Sequence, residues 1–288
     1  MKLLVTGAAG LFGRGLVQVF GEQHNVIGIA RQDGDITDAK RMRELLLQHR
    51  PEIVVHTAAM PDIDDCELNP EKAYRVNTEA TRSLIESAKE IGASFAQVST
   101  DAVFDGSKLK PYVESDPVNP PSVYGRTKVE AEEAVRRHDH HWIFRVSVLF
   151  GPGKANFVNK GLCKLMGKEQ YPVAADQLGS ATYTLDAART MLDVFASRKF
   201  GTYHLCNRGA CTRYDLAIRA AELARLDPSG VVGKPMDEMK RPGPRLKYSV
   251  MDMKALRDAG ISEPRLWEDA LADYVSAMKM PAQTERVS

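Results

Sequence analysis

Two side chains four residues apart, Tyr124 and Lys128, form the pair in this chain with the clearest capacity for chemistry. They lie within a helical pattern, and residues i and i+4 of a helix share one face and can contact each other. A free tyrosine titrates near pH ~10, and a neighbouring cation favours the phenolate and lowers that pKa. Tyr124 is therefore expected to donate a proton to a substrate oxygen near neutral pH. Alone, the pair is weak evidence, because an exposed helix face without chemistry would present the same two residues.

A glycine-rich turn near the N-terminus is the second pattern that indicates a site. Residues 2–6 are typical of a short buried strand, and residues 11–23 have helical periodicity. Gly7 and Gly10 lie between these segments and Gly13 lies in the first turn of the helix. The first permits a tight turn, the second lets a pyrophosphate approach the backbone, and the third lets the helix pack on the strand. The N–H groups at the helix start then face the anion. A plain turn is the alternative. We predict that five residues here bind a dinucleotide: Gly7, Gly10, Leu11, Phe12 and Gly13.

The end of the second predicted strand bears on the choice of cofactor. An NAD site usually has Asp or Glu at this position, but the chain has Ala30-Arg31-Gln32. Arg31 suits the 2′-phosphate of NADP, although an ordinary solvated arginine would look the same. We predict NADP as the cofactor, with NADPH preferred and NADH as the alternative. Asp35 and Ile36 are expected to flank the adenine, but a helix-capping turn alone would also explain them.

Two more predicted strands end in residues suited to the same site. Ala58 and Ala59 follow the third strand, and small residues there let a cofactor lie against the backbone. Thr100 follows the fourth strand, where its hydroxyl is expected to donate to the oxygen that Tyr124 protonates. Plain packing explains the alanines equally well, and a strand-end cap would explain Thr100.

The alternation of strands and helices predicts an α/β fold, a doubly wound parallel sheet of the Rossmann type. We predict a dinucleotide-binding domain at residues 1–150 and a smaller C-terminal substrate-binding lobe at residues 151–288. Residues from about 184 to 206 are predicted to return to the sheet. The carboxyl ends of parallel strands lie along one edge, so this topology would bring Thr100 and Tyr124 to the cofactor.

The composition argues against several classes of partner. The chain has 39 Lys and Arg against 38 Asp and Glu, so neither a nucleic-acid surface nor a polybasic membrane patch is expected. The sequence has no apolar run near the ~18 residues that span a bilayer, and the N-terminus lacks a signal-peptide pattern. Four cysteines without Cys-x-x-Cys spacing suit a reduced cytoplasm. We therefore expect a small-molecule substrate and a cytoplasmic location, with a homodimer left open.

No metal site is expected. The cluster of His138, His140 and His141 follows a charged helix and precedes the next strand. A solvated turn is the preferred interpretation of this cluster, although the spacing also allows metal ligation.

With these residues in view, the chain resembles the extended short-chain dehydrogenases/reductases, and most of all the dTDP-4-dehydrorhamnose reductase family. The most specific segment is Ser99-Thr-Asp-Ala-Val-Phe-Asp-Gly106, whereas Tyr124-Gly-Arg-Thr-Lys128 is typical of the whole superfamily. The resemblance implies that Tyr124 is the proton donor, that Lys128 holds the nicotinamide ribose, and that Thr100 orients the keto oxygen. The implied reaction is NAD(P)H-dependent reduction of the 4-keto group of a nucleotide-activated deoxysugar.

The resemblance continues through the second half of the chain. It includes the segments Asn156-Phe-Val158, Asp176-Gln-Leu-Gly-Ser-Ala-Thr182 and Arg241-Pro242. Substrate contacts are thereby predicted for four residues: Thr100, Asn156, Gln177 and Arg241. The guanidinium of Arg241 would suit a diphosphate, although a solvated loop arginine is the alternative.

Three positions depart from the family pattern. Ala102 stands where tyrosine is usual, Met60 stands where an aromatic residue is usual, and Val148 stands where tryptophan is usual. Aromatic rings bury large areas and stack on other flat surfaces, so the substrate pocket is expected to be wider and to contain fewer rings. The reaction class is less affected by these changes than the identity of the sugar.

Two other functions stay open at this point. A sugar-nucleotide epimerase or dehydratase would share the fold, but dehydratases of this superfamily have an acidic residue at the position of Ala102. A non-catalytic regulatory subunit, resembling the β subunit of methionine adenosyltransferase, would keep the nucleotide fold without turnover. The intact set of Thr100, Tyr124 and Lys128 favours catalysis.

Overall fold

A parallel sheet of six strands forms the centre of the computed structural model, which describes residues 1–278. The strands, in chain order, are β1 (Lys2–Thr6), β2 (Asn25–Ile29), β3 (Ile53–His56), β4 (Ser94–Thr100), β5 (His141–Val146), β6 (Val148–Phe150), β7 (Tyr171–Ala174), β8 (Leu178–Gly179), β9 (Ala181–Tyr183), β10 (Gly201–His204), β11 (Cys211–Thr212), β12 (Val231–Lys234) and β13 (Tyr248–Ser249). The central sheet has the order β10-β5-β4-β3-β1-β2, and every neighbouring pair is parallel. All six strands therefore present their carboxyl ends along one edge.

Helices cover both faces of this sheet. They are α1 (Leu11–Gly21), α2 (Ala39–His49), α3 (Ile63–Leu68), α4 (Pro70–Tyr74), α5 (Ala80–Glu90), α6 (Val123–Val135), α7 (Phe157–Met166), α8 (Thr184–Ser197), α9 (Arg213–Leu223), α10 (Lys254–Asp258) and α11 (Trp267–Ala277). The apolar residues of α1 and α8 form one core cluster with the sheet, and those of α2 and α5 form another. This arrangement confirms the predicted doubly wound parallel sheet.

The helix α1 shows why these segments form the layers that they do. Its buried residues Phe12, Leu16, Val19 and Phe20 recur at helical spacing, so that they lie on one face. Each large apolar side chain buried in this way contributes roughly 1.5–3 kcal/mol to the free energy of unfolding. The face fixes α1 on the sheet and thereby fixes the turn that precedes it.

The sequence from Asn69-Pro70 to about Ile91 predicts one long helix, but the structure interrupts it. Proline starts it at Pro70, the favoured first position, but a π-helical turn at Arg75–Glu79 separates α4 from α5. An extra residue per turn rotates the chain locally, and this rotation cannot be inferred from apolar spacing alone.

The second half of the chain adds a sixth strand and three small sheets. The strand β10 pairs with β5, and α8 precedes it. The helices α7, α9 and α11 share a separate core cluster. The Pro, Gly and Lys content of residues 228–245 predicts a loop, but this segment includes β12, which pairs in parallel with β7. The boundary near residue 150 stays a prediction. The sequence after Pro281 predicts a disordered tail, but this segment lies outside the described residues. None of the helices within residues 1–278 is long and apolar enough to cross a bilayer.

Candidate active site

Thr100 and Tyr124 line the same cavity, which has a volume of about 230 Å³. Thr100 is the last residue of β4, and Tyr124 lies in the first turn of α6. Gln177 and Arg241, two of the predicted substrate residues, also line this cavity. The fold thus brings together four residues that sequence patterns indicate in separate parts of the chain.

The start of α6 lies directly against the turn that follows β4. The Ser122 hydroxyl caps the helix by accepting a hydrogen bond from the Gly125 N–H over 3.0 Å. A Cβ added at Gly125 would lie 2.2 Å from the Ala102 carbonyl oxygen, so only glycine permits this approach. The Ala102 N–H donates in turn to Oγ1 of Thr100 over 3.1 Å. The glycine that follows Tyr124 therefore helps to set the spacing between the phenol and the threonine hydroxyl.

Lys128 lies one helical turn after Tyr124 and is 2% exposed. Its Nζ donates to the Val98 carbonyl of β4 over 2.7 Å. Burial lowers the pKa of Lys128 to about 8, while the nearby carboxylate of Glu132 acts in the opposite direction. A backbone carbonyl of β4 thus fixes the position of the Lys128 ammonium.

Burial also raises the pKa of Tyr124 above its usual value, and a hydrogen bond with Thr100 partly opposes this rise. On balance the pKa of Tyr124 is therefore raised, and not lowered as expected beside Lys128, because the loss of hydration dominates. A phenol with a raised pKa stays protonated at neutral pH, which is the state that a proton donor needs.

The π-helical turn connects the loop after β3 to α6. The Asn77 side chain is buried, and its Oδ1 accepts from the Met60 N–H over 2.8 Å. Its Nδ2 donates to the Met60 carbonyl over 3.1 Å and to Oγ1 of Thr127 over 3.0 Å. The Thr127 hydroxyl donates to the Tyr124 carbonyl over 2.7 Å. These bonds connect the predicted cofactor loop to the turn that carries the phenol.

The turn between β1 and α1 has the shape of a dinucleotide cradle. Gly7 has φ of +70°, and an added Cβ there would lie 2.8 Å from the Ala58 backbone nitrogen. An added Cβ at Gly13 would lie 2.1 Å from the Gly7 carbonyl oxygen, so α1 packs directly on the turn. Gly10 is the N-cap residue of α1, and it has no side chain with which to cap the first N–H groups. Those N–H groups suit an anion, so the residues present fit a pyrophosphate.

The remaining predicted cofactor residues surround this turn. Leu11 and Phe12 begin α1, and Phe12 is buried in the core. Ala58 and Ala59 directly follow β3 across from the turn. Arg31 follows β2 with a side chain that is 90% exposed, and its Nη2 lies 3.3 Å from an oxygen of Asp35.

Asp35 itself is engaged in a local turn. Its carboxylate accepts from the backbone N–H of Thr37 over 2.9 Å and from the Thr37 hydroxyl over 2.8 Å, and these bonds lower the pKa of Asp35. Ile36 packs against the cluster on the α2 face of the sheet. The exposed Arg31 side chain can therefore reorient toward a phosphate more easily than Asp35 can move.

Asn156 is the predicted substrate residue that the fold does not bring to the cavity. It is the N-cap residue of α7, and its Oδ1 accepts from the backbone N–H groups of Val158 and Asn159. Its Nδ2 donates to the Gly151 carbonyl over 3.0 Å and to the Tyr274 hydroxyl over 2.7 Å. The polar atoms of Asn156 are thus used within the protein, so this geometry gives its substrate role no support.

The histidine cluster also differs from the expected solvated turn. His138 is buried, and its Nε2 lies 2.9 Å from the Ala93 carbonyl oxygen. The solvated-turn interpretation is therefore wrong for His138, because its side chain is buried against the loop that directly precedes β4.

Sequence patterns miss two arginines in the cavity wall, Arg213 and Arg245. Arg245 lies four residues after Arg241 in one Pro- and Gly-containing segment, and that proximity was the available signal. Its Nη1 pairs with the Asp64 carboxylate over 2.8 Å. Arg213 is the first residue of α9, after a strand of two residues, and it belongs to no recognisable motif.

The parallel sheet, the glycine cradle and the set of Thr100, Tyr124 and Lys128 define a dinucleotide-dependent oxidoreductase of the extended short-chain dehydrogenase/reductase class. The chain belongs to the RmlD family, because the family model described as the RmlD substrate binding domain matches residues 1–280.

The similarity to known relatives covers almost the whole chain. The spore coat polysaccharide biosynthesis protein SpsK of Bacillus subtilis is 36% identical, over 95% of this chain and 96% of its own length. A dTDP-4-dehydrorhamnose reductase of Streptomyces griseus is 35% identical, over 96% of this chain and 94% of its own length. The crystal structure of dTDP-4-dehydrorhamnose reductase from Bacillus anthracis, in complex with NADP, is 28% identical, with a TM-score of 0.93 and coverage of 96% of this chain and 100% of that one.

Proposed function

We propose that this protein reduces the 4-keto group of a nucleotide-activated deoxysugar with NADPH, and that dTDP-4-dehydrorhamnose is the leading substrate. The observation that carries the proposal is the pair of hydroxyls, Thr100 and Tyr124, in the wall of one cavity that arginines also line. Relatives named dTDP-4-dehydrorhamnose reductase, with identities of 31–35% over most of the chain, support the same reaction.

The chain's own groups account for the proton side of this reaction. Tyr124 would donate a hydrogen bond to the carbonyl oxygen, and the Thr100 hydroxyl would do so after turning from the Asp101 carboxylate. Both bonds favour the negative charge that develops on that oxygen. Tyr124 would then transfer its proton to that oxygen, and the raised pKa of Tyr124 ensures that the proton is present at neutral pH. Lys128 would stabilise the phenolate that remains. NADPH, when bound at the glycine cradle, supplies the hydride for the carbonyl carbon.

The cavity wall supports an activated sugar as the substrate class. Arg241 and Arg245 present guanidinium groups, which match the geometry of phosphate oxygens. Ala102 and Val148 also line the cavity, in place of the bulky rings usual in the family. The proposed pocket therefore makes fewer ring-stacking contacts with the sugar. It is expected to tolerate changes in the sugar substituents better than changes in the diphosphate.

The function is tested with a panel of dTDP-, UDP- and GDP-linked 4-keto-6-deoxy sugars, by following the loss of NADPH absorbance. We expect one NADPH consumed per sugar reduced, with the dTDP-linked substrate giving the highest kcat/KM. Turnover without net loss of NADPH would indicate an epimerase instead. A protein that binds NADPH, reduces none of the sugars and binds a methionine adenosyltransferase in a pull-down would indicate a regulatory subunit.

Arg31 is proposed to bind the 2′-phosphate of NADP. Replacing Arg31 with alanine is expected to lower kcat/KM for NADPH about 10-fold, because a charge-assisted hydrogen bond to the phosphate is lost. The value for NADH is expected to change little. Arg43→Ala is the matched control, since Arg43 is an exposed residue of α2 that pairs with Glu90 at the end of α5. An equal loss with both cofactors would contradict the assignment.

The location and assembly of the protein belong to the same proposal. We propose a cytoplasmic location, which four cysteines without Cys-x-x-Cys spacing suit, and we leave a homodimer as an open assembly. Light scattering of the purified protein distinguishes a monomer of 31.8 kDa from a dimer.

A further inference from the structure

Arg213 occupies an unusual electrostatic position in the cavity wall. It is the first residue of α9, where the positive end of the helix dipole disfavours a cation. Its Nη1 is shielded from solvent and has no hydrogen-bond partner within the described residues. Burial lowers the pKa of Arg213, with the carboxylate of Asp101 opposing this shift. An unsatisfied buried donor destabilises a folded chain, and such violations of local rules mark functional sites.

The side chain is nevertheless held in a definite orientation. The Arg213 guanidinium carbon lies 5.6 Å from the centre of the Phe157 ring, which is within the range of a cation–π contact. Arg213 lines both the cavity that contains Tyr124 and a smaller adjoining hollow, and Val148 and Gln177 belong to both walls. The cation is thus fixed where the two spaces meet.

The charges of the wall are not balanced. Arg245 is paired with Asp64, which leaves Arg213 and Arg241 as cations facing the cavity. The carboxylate that lines the same cavity, Asp101, accepts hydrogen bonds from the Thr100 hydroxyl over 3.1 Å and from the Ser147 hydroxyl over 2.6 Å. The wall therefore carries a net positive charge and suits an anionic ligand.

We propose that Arg213 binds the diphosphate of the nucleotide-activated substrate, with its unpaired Nη1 donating to a phosphate oxygen. This inference rests on the proposed function and adds a binding residue to the same site. Arg241 is exposed and contacts the Met239 sulfur at 3.8 Å, so it must order itself on binding. Arg213 is already ordered by Phe157, and a preorganised donor loses less conformational entropy when the ligand arrives.

The test is calorimetric binding of dTDP and of thymidine, which lacks phosphate. Arg213→Gln is expected to weaken dTDP binding about 10- to 100-fold, because a hydrogen bond to a charged group is lost. Thymidine and NADPH affinities are expected to stay unchanged. Arg219→Gln is the matched control: Arg219 lies on the same helix, is 46% exposed and pairs with Glu222 over 3.0 Å. Its dTDP affinity is expected to equal that of the wild type.

Retained NADPH binding serves as the check that each variant is folded. If Arg213→Gln fails that check, Arg213→Lys replaces it, since lysine keeps the charge but lacks the planar fork, and its dTDP affinity is expected to fall about 10-fold. Wild-type dTDP affinity in the folded variant, or no binding of dTDP by the wild-type protein, overturns the inference. Weakened dTDP binding without turnover of any keto sugar would leave the inference standing and overturn the proposed reaction alone.

Discussion

Replacement of Tyr124 with phenylalanine is expected to lower kcat about 10²- to 10⁴-fold, the usual contribution of a positioned general acid. The change removes one hydroxyl and keeps the ring, so the packing of α6 against α3 and α4 should survive. NADPH and dTDP affinities are expected to remain within a few-fold of the wild-type values, because the phenol proton acts on the carbonyl oxygen alone. Steady-state kinetics with the preferred keto sugar gives kcat, and calorimetry gives both affinities.

Tyr74→Phe is the control for this substitution. Tyr74 is partly buried and packs in the same apolar cluster as Tyr124, but it does not line the cavity. Its loss of a hydroxyl is expected to leave kcat within about two-fold of the wild-type value, as is usual for substitutions away from a functional feature. Full turnover by the Tyr124 variant would show that another group donates the proton.

The parts of the site that sequence reasoning finds are those with local signals. The segment from Gly7 to Gly13 joins a strand to a helix, as expected. A Cβ added at Gly7 or at Gly13 would clash with backbone atoms, so both positions require glycine. Thr100 and Tyr124 are 24 positions apart in the sequence. Thr100 is recognised from the predicted end of a strand, and Tyr124 from the predicted start of a helix. Their approach to one cavity follows from the parallel topology.

The parts that sequence reasoning misses depend on contacts between distant segments. Arg213 reaches the cavity only because α9 packs on α7 and α11, and no short pattern encodes that packing. Asn156 belongs to a segment typical of the family, yet its polar atoms close a capping box on α7. The pKa of Tyr124 likewise depends on burial by the whole fold, whereas a helical spacing reveals only the neighbouring lysine.

Glu132 lies on the buried face of α6 and belongs to a buried charge network. It is fully buried two helical turns after Tyr124, and its carboxylate accepts from Arg145 Nη2 over 2.7 Å, Arg136 Nη2 over 2.8 Å and the Ser99 hydroxyl over 2.5 Å. Arg145 is 1% exposed, so removal of Glu132 leaves a buried cation without its carboxylate. Because Arg145 lies in β5 and Ser99 in β4, the network fixes α6 to two strands of the sheet.

Glu132→Ala is therefore expected to lower the free energy of unfolding by about 3–5 kcal/mol, the usual effect of breaking a buried ion pair from one side. Chemical denaturation measures this change. Glu133→Ala is the matched control on the same helix, since Glu133 is exposed, and it is expected to change stability by less than about 0.5 kcal/mol. The double variant Glu132→Met with Arg145→Met is expected to recover most of the loss, because no unpaired charge remains buried. A double variant as unstable as Glu132→Ala would show that packing, not charge, is what the network supplies.

The pH dependence of the same variant tests the electrostatic origin of the loss. Burial alone would raise the pKa of Glu132, but the hydrogen bonds and charge of Arg145, with Ser99 and Arg136, lower it on balance. A carboxyl whose folded-state pKa is lowered contributes stability that is fully present above its unfolded-state pKa, here 4.5, and that is lost as the pH falls through the folded-state value. The stability difference between wild type and Glu132→Ala is therefore expected to stay constant from neutral pH down to about pH 5 and to shrink in stronger acid. A difference that does not change in acid would assign the loss to the cavity left by the side chain, and Tyr124 would then be positioned by packing alone.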